Sequence, residues 1–262
     1  MKHYFKVFLA LLNISAKNYL EKRWNVFGII TNSTISLIIM VIFVNVYFSF
    51  SKEIFGWTKY QVFLLTGIYR CVSSLFYVLF FRSINWIPNY VQRGTLDIFL
   101  TKPINSQFYI TFRLTRIFEL FSVLTGLVLV YYSLQKMDIM VSIINWSFLI
   151  LGLLAGLLIL YGIYFSLSTL SIWIGRFSGI TDVFYILREP LAIPLDLFGK
   201  TTSFVLTFII PLGFIITVPV RLFFGMSPWY FLFFGVFFAS LAVWFSSWFW
   251  NFSLKHYTSA SS

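Results

Sequence analysis

"IINWSFLILGLLAGLLILYGIYFSLSTLSIWI", residues Ile143–Ile174, contains no charged side chain and decides the class of fold. A helix of about 20 predominantly apolar residues crosses the roughly 30 Å hydrocarbon core of a bilayer. Because this run is longer than one straight crossing needs, we expect its helix to tilt or to project beyond the membrane. Gly152 and Gly156 within it leave a small-residue groove, which suits either close helix packing or a contact with another subunit.

The composition of the whole chain also indicates a membrane protein. The 262 residues are 60% hydrophobic and 10% charged, whereas soluble domains are about 45–50% apolar and about 25% charged. Cys71 has no partner for an intrachain disulfide, and His3 and His256 are too few for a metal site. The basic residues behind the net charge of +11 are spread over the connections, which is typical of membrane orientation and not of nucleic-acid binding.

The apolar runs predict an all-α membrane protein with six transmembrane helices. Their predicted bounds are Val26–Phe48, Gln61–Ile84, Arg116–Leu134, Ile143–Ile174, Ser203–Phe224 and Trp229–Trp250. Trp side chains collect at membrane interfaces, and every Trp except Trp244 falls at or beyond the end of a predicted span. Because Pro211 and Pro219 interrupt the fifth run, it is predicted to be either a kinked helix or a re-entrant segment.

Residues 1–24 combine a basic start with a short apolar run, so a cleaved signal peptide is one interpretation. However, Phe5, Phe8 and Leu12 fit one helical face, and basic residues such as Lys17 follow directly. This pattern favours an amphipathic helix that lies on the membrane surface.

The distribution of Lys and Arg predicts the orientation. Six spans place both termini on the same side, and that side also receives most of the basic residues, including Arg188 and Lys200. The positive-inside rule therefore predicts that both termini and the connection 86–112 lie in the cytoplasm.

No pattern for catalysis or nucleotide hydrolysis is found. "FGKTT" looks like the end of a phosphate-binding loop, but Pro194 stands where that pattern requires Gly. The predicted spans contain no carboxylate pair for acid–base chemistry, so the chain is not expected to be an enzyme. Two ionisable residues lie in or near the spans. Arg70 fits either a substrate path or structural hydrogen bonding, and Glu119 has Arg116 or Arg82 as its expected ion-pair partner.

"QRGTLDIFLTKP", Gln92–Pro103, is the centre of the connection between the second and third spans. Apolar residues recur on one side of this segment and the residues before it: Ile87, Tyr90, Val91, Leu96, Phe99 and Leu100. Gly94 permits a turn, Thr95 is suited to cap the next helical turn, and Pro103 ends it. We therefore expect a short helix–turn–helix parallel to the membrane, with its apolar side docked on another surface.

Three stretches of the chain resemble a known family. They are "YVQRGTLDIFLTKPINSQFYITFR" (Tyr90–Arg113), "LREPLAIPLDLFGKTTSFVLTFIIPLGFIITVPVRLFFG" (Leu187–Gly225) and "LKHYTSASS" (Leu254–Ser262). Together they look like the permease subunits of bacterial type-2 ABC exporters, in the branch with two related permeases beside one ATPase. The resemblance extends over essentially all 262 residues.

The resemblance implies a single exporter transmembrane domain with a coupling helix in region 86–112. The residues that fall on the family's coupling motif are Arg93, Gly94, Leu96, Asp97, Lys102 and Pro103. Thr95 stands where a Glu is common, which removes one charge from the motif. The implied partners are two copies of an ATP-binding subunit, which would hold ATP and Mg, and a second permease that is homologous or identical. The implied location is the bacterial cytoplasmic membrane.

In this interpretation, the cargo moves along the permease–permease interface, lined by helices one, two and five. The high aromatic content of the chain suggests an apolar or amphipathic cargo, such as a drug, a peptide or a lipid-like molecule. Two other classes remain open. One is a stand-alone membrane protein without an ATPase, such as an immunity or lipid-interacting protein, and the other is a membrane-embedded enzyme.

Overall fold

The computed structural model describes residues 2–20, 23–137, 141–175 and 179–257, and most of them are helical. The elements are α1 (Lys2–Leu20), α2 (Arg23–Tyr47), β1 (Glu53–Ile54), β2 (Trp57–Thr58), α3 (Lys59–Phe76), α4 (Arg82–Asn85), α5 (Ile87–Gln92), α6 (Asp97–Leu100), α7 (Ser106–Phe112), α8 (Leu120–Met137), α9 (Ile143–Thr169), α10 (Ser171–Ile174), α11 (Ile180–Arg188), α12 (Lys200–Phe204), α13 (Thr217–Phe223) and α14 (Phe231–Leu254). Strands β1 and β2 form a small antiparallel hairpin.

Five helical stretches among these residues are long and apolar enough to cross a membrane. They are Val26–Tyr47, Lys59–Gln92, Ile117–Met137, Ile143–Ile174 and Phe231–Leu254. The second runs from α3 through a π-helical turn at Tyr77–Phe81 into α4 and α5. This stretch ends at Gln92, well past the predicted end at residue 84. At about 1.5 Å per residue it is longer than a bilayer is thick.

The prediction of six transmembrane helices is not confirmed, because residues 203–224 do not form one helix. They are divided between α12, a π-helical turn at Val205–Ile209, a non-helical segment and α13. Pro211 lacks a backbone N–H, and the residue before it, Ile210, is extended with φ −109° and ψ 95°. The limbs on either side of the break contact each other, since the Gly213 N–H donates to the Leu206 carbonyl at 2.9 Å.

The groove at Gly152 and Gly156 receives this broken segment. A Cβ on Gly156 would lie 2.5 Å from the Ile215 carbonyl oxygen, and a Cβ on Gly152 would lie 2.9 Å from Pro219. Beyond Pro219, the chain returns toward the start of α9. Lys200 in the limb before the break and Arg221 in the limb after it line one cavity. Both limbs therefore lie toward the same end of α9, which is the arrangement of a re-entrant hairpin. Of the two predicted uses of the groove, this structure shows packing within the chain.

Residues 180–196 lie alongside α3 from one end of the bundle to the other. Their successive contacts are Thr181 with Asn85, Phe184 with Phe76, Ala192 with Thr66, and Asp196 with Trp57. The chain thus reaches the end of the bundle that carries β1 and β2, which we call the hairpin end. The placement of Arg188 and Lys200 beside the termini was wrong. Lys200 lies at the hairpin end, where it lines a cavity together with Phe55.

Helix α3 forms the centre of the bundle and packs most closely against α8. A Cβ on Gly126 of α8 would lie 2.8 Å from the carbonyl oxygen of Gly67 in α3. Helix α1 lies at the end of the bundle opposite the β1–β2 hairpin. There the ring centroids of Tyr4 and Phe108 are 5.0 Å apart, and those of Phe8 and Phe112 are 5.1 Å apart. Helices α2 and α14 keep large apolar faces exposed, as expected for helices that face lipid or another subunit.

Candidate functional site

Two features of the structure combine polar side chains with an unusual setting. The first is the helical hairpin made of α5 and α6. Helix α5 ends at Gln92 with Arg93 as its C-cap, and Gly94 then adopts φ +63°, a left-handed conformation that favours glycine. The turn closes when the Leu96 N–H donates to the Tyr90 carbonyl at 3.3 Å, and α6 begins at Asp97. Gly94 and Leu96 of the predicted motif therefore build the turn.

The apolar side of this hairpin docks on its own chain. Leu96 is completely buried, and Tyr90 and Phe99 are each more than 90% buried with ring centroids 4.8 Å apart. The guanidinium carbon of Arg113 lies 4.2 Å from the Phe99 centroid and 5.3 Å from that of Tyr90. Such cation–π contacts attach the hairpin to the segment after α7. The apolar stripe predicted from the sequence thus fixes the hairpin to the bundle.

The opposite side of the hairpin points away from the bundle. We call this side the exposed face, and its residues are Gln92, Arg93, Ile98, Thr101 and Pro103. Ile98 is 59% exposed although it is apolar. Asp97 and Lys102 are half-buried at the edge of this face, and the Lys102 Nζ lies 5.0 Å from the Tyr109 ring centroid. The six predicted coupling residues therefore form one compact element.

The second feature is a cavity of about 790 Å³ between α2, α3 and the α11 segment, which we call the polar cleft. No phenylalanine of the described residues lines it, although the chain has 34. Its lining is rich in Ser and Tyr and includes four arginines and two glutamates: Arg70, Arg82, Arg116, Arg188, Glu119 and Glu189. The cleft is thus polar and has an excess of positive charge.

Arg70 lies deep in this cleft, and only 6% of its surface is exposed. Its Nη2 donates to the Ser33 carbonyl at 2.8 Å, to the Ser33 hydroxyl at 2.9 Å and to the Thr125 hydroxyl at 3.0 Å. Its Nη1 donates to the Ser36 hydroxyl at 3.1 Å. These bonds join α2, α3 and α8, so Arg70 has the structural hydrogen bonding that the sequence suggested and also lines the cleft.

Glu119 lies at the end of the cleft that is farther from the β1–β2 hairpin. Its carboxylate pairs with Arg116 at 3.2 Å, and the two side chains are 17% and 27% exposed. Of the two expected partners, Arg116 is therefore in ion-pair contact. The backbone N–H of Arg116 donates to the Val78 carbonyl at 3.0 Å, which attaches this pair to the π-helical turn that follows α3. The cleft thus brings Glu119 and Arg70 into one site.

Arg188 is the cleft residue that sequence reasoning missed, because it was assigned to a cytoplasmic connection. Its guanidinium carbon lies 5.3 Å from the Tyr77 centroid, 5.5 Å from that of Tyr185 and 5.7 Å from that of Tyr69. The sequence of α2 contains a pattern that could have indicated the cleft. There Asn32, Ser33 and Ser36 recur at helical spacing, and all line the cleft.

A different polar contact closes the hairpin end. Asp196 accepts hydrogen bonds from the Trp57 indole N–H and from Arg221, both at 2.9 Å. It thereby ties β2 to the re-entrant hairpin. Among the described residues, no three His, Cys, Asp or Glu side chains are grouped in a way that could hold a metal ion.

A bundle of helices long enough to span a membrane, with charged and polar side chains around an internal cleft, is an arrangement found in membrane transport proteins. The profile of a family described as "ABC-2 family transporter protein" matches residues 33–261. The chain belongs to this family and is an ABC transporter permease subunit, the membrane component that works with a separate ABC ATPase. No curated protein and no solved structure shows significant similarity to it.

Proposed function

We propose that this chain is a permease subunit of an ATP-driven exporter in a bacterial cytoplasmic membrane. In this proposal both termini and the α5–α6 hairpin lie in the cytoplasm, as the Lys and Arg distribution favours. Two copies of an ATP-binding subunit, which bind ATP and Mg, contact the hairpins of this chain and of a second, homologous or identical permease. Binding and hydrolysis of ATP drive the conformational change.

The construction of the α5–α6 hairpin is the observation that carries this proposal. Its inner side is locked by buried Leu96 and by the contact of Arg113 with Phe99. Its exposed face carries the basic Arg93 beside the apolar Ile98. An element that is rigidly attached on one side and exposed on the other can transmit a push from a partner into α3 without deforming. We therefore assign the contact with the ATPase to the exposed face.

The polar cleft is the proposed route of the cargo through this half of the transporter. It lies beside α2 and α3, which occupy the positions of the first and second predicted spans, and beside the α11 segment. No residue of the fifth predicted span, Ser203–Phe224, is among the described residues that line it. The sequence suggested an aromatic lining and an apolar or amphipathic cargo. The abundance of Ser, Tyr and Arg in the cleft favours an amphipathic cargo over a purely apolar one, because an apolar molecule would leave these polar groups unpaired.

Copurification with the ATPase tests the coupling role. We expect Arg93→Ala, Asp97→Ala and Ile98→Asp to reduce assembly, or transport-linked ATP hydrolysis, by about tenfold, since residues at the centre of an interface contribute most of its affinity. Lys136→Ala is the matched control, because this exposed lysine lies in the last turn of α8 near the hairpin end. Membrane insertion should be unchanged in all four variants.

Wild-type assembly and hydrolysis in all three hairpin variants would contradict the coupling role. If the chain purifies alone and no ATP-binding protein shows turnover that depends on it, the exporter function fails. The stand-alone membrane protein would then be the better interpretation.

A further inference from the structure

The polar cleft contains two arginines far from either end of the bundle. Arg70 lies about a third of the way along the helical stretch Lys59–Gln92, about 17 Å of helix from its start. Arg188 lies beside it, against Tyr69 and Tyr77 of the same stretch. A charged side chain at this depth is costly, and it normally faces a cavity or a partner and marks a substrate path. Two such residues on neighbouring elements make the middle of the cleft a candidate binding site.

Among the described residues, neither arginine forms a salt bridge with an acid. Within the described ranges, no carboxylate lies within 4.0 Å of Arg70 or Arg188, since the two ion pairs found there are Arg116 with Glu119 and Arg221 with Asp196. The acceptors around Arg70 are neutral hydroxyl, thioether and carbonyl groups. These bonds orient the guanidinium and leave its positive charge in place.

Arg188 has even fewer polar partners. Its surroundings are the rings of Tyr69, Tyr77, Phe184 and Tyr185, at 5.3 to 5.9 Å from the guanidinium carbon. Its Nε is buried and has no hydrogen-bond partner among the described residues. Aromatic faces stabilise the cation and hold its orientation, and they do not use its hydrogen-bond donors. Arg188 is therefore positioned to donate hydrogen bonds to an anion in the cleft.

The surroundings of the cleft indicate what this anion is attached to. The cleft face of α2 carries Asn32, Ser33 and Ser36, while the adjoining faces expose Ile35, Ile39 and other large apolar residues. A molecule with a charged head and an apolar tail can therefore place its head between the arginines and its tail along α2. Guanidinium groups match the geometry of phosphate and carboxylate oxygens, with two parallel hydrogen bonds.

We propose that Arg188 and Arg70 bind the phosphate or carboxylate head group of an anionic amphiphile that enters the polar cleft. As an assignment of cargo class this proposal rests on the transport function proposed above. The binding itself requires only this chain, so it can be measured without the ATPase. Failure to bind and failure to couple to an ATPase are therefore separate results.

The test measures binding to the purified full chain in nonionic detergent, with three probes. Short-chain phosphatidic acid carries the acidic head and the tail, phosphatidylcholine of the same chain length carries a zwitterionic head, and inorganic phosphate carries no tail. We expect phosphatidic acid to bind at least about tenfold more tightly than either of the others, because a charge-assisted hydrogen-bonded pair contributes at least that factor.

Variants of Arg188 connect this binding to the cleft. Arg188→Gln should weaken binding of phosphatidic acid about tenfold, and Arg188→Lys, which keeps the charge, should weaken it less. Lys136→Gln removes one positive charge near the hairpin end and should leave binding unchanged. Arg70→Gln is a poorer choice, because Arg70 also holds α2, α3 and α8 together. Thermal unfolding of each variant verifies that it remains folded.

Three results would overturn the proposal. Equal affinity for phosphatidylcholine would show that the acidic head is not recognised, and equal affinity for inorganic phosphate would show a site for a free anion. Unchanged affinity in both Arg188 variants would show that phosphatidic acid binds elsewhere. If binding follows the expected pattern and the ATPase test fails, the site stands as one for an acidic lipid, without an assigned role in transport.

Discussion

Labelling of single cysteines provides a sharp test of the path of residues 180–200. Lys200 and Arg93 are both exposed, and the sequence alone predicts that they lie on the same side of the membrane. The structure places them at opposite ends of the bundle. We expect Lys200→Cys and Arg93→Cys, each in a Cys71→Ala background, to react with a membrane-impermeant maleimide from opposite faces.

The expected placement of Lys200 and Arg93 on opposite faces follows from the combined length of α3 and α4. Asp196, shortly before Lys200, accepts a hydrogen bond from Trp57 at 2.9 Å, and Thr181 donates to Asn85 at 3.0 Å. The helical path between Trp57 and Asn85 measures about 40 Å at about 1.5 Å per residue. This length exceeds the roughly 30 Å hydrocarbon core. A residue beside Trp57 and one beyond Asn85 therefore cannot both reach the same face.

The assay compares intact cells with inverted membrane vesicles, which present the two faces separately. Thr101→Cys is the matched control for Arg93→Cys, and Lys136→Cys is the matched control for Lys200→Cys, because each lies exposed near the same end of the bundle. Labelling of Lys200→Cys and Arg93→Cys from the same face would refute the placement of residues 180–196 along α3. It would restore the cytoplasmic connection that the sequence predicted.

Three further changes test the packing, each by thermal unfolding of the purified chain. Asp196→Ala should destabilise it by about 1–2 kcal/mol, a discounted value because the pair with Arg221 is partly exposed; equal losses with and without Arg221→Gln would rule out their coupling. Gly156→Val should cost about 1–3 kcal/mol by forcing Ile215 away, and a neutral result would contradict that contact. Arg113→Ala should loosen the α5–α6 hairpin, measured as faster hydrogen exchange in α6; unchanged exchange would show that its ring contacts are dispensable.

The long apolar runs were readable from the sequence because lipid imposes a simple rule, in which every residue of a spanning helix must be compatible with hydrocarbon. The broken run 203–224 was harder. Pro211 and Pro219 signalled a break, but a kinked helix and a re-entrant hairpin both satisfy that signal. The packing of Ile215 on Gly156, together with the cavity that Lys200 and Arg221 both line, distinguishes them, and these contacts join residues that are distant in the sequence.

The candidate site, too, was only partly predictable from the sequence. The motif at Arg93–Pro103 was recognisable because its turn depends on local chemistry, above all on Gly94 with its positive φ. Arg188 was missed because, in the sequence, a charged residue between two apolar runs looks the same as a charged residue in any connection between spans. Its place beside Arg70 follows from the way residues 180–196 pack along α3.

The sequence by itself determined that this chain is a helical membrane protein, and by resemblance indicated the transporter class that the family match supports. These properties depend on composition, on local periodicity and on short motifs, all of which are visible in one dimension. Only the tertiary structure decided that the apolar side of the α5–α6 hairpin docks on its own chain, which residues line the polar cleft and at which end of the bundle Lys200 lies. Those features depend on contacts between residues that are distant in the sequence.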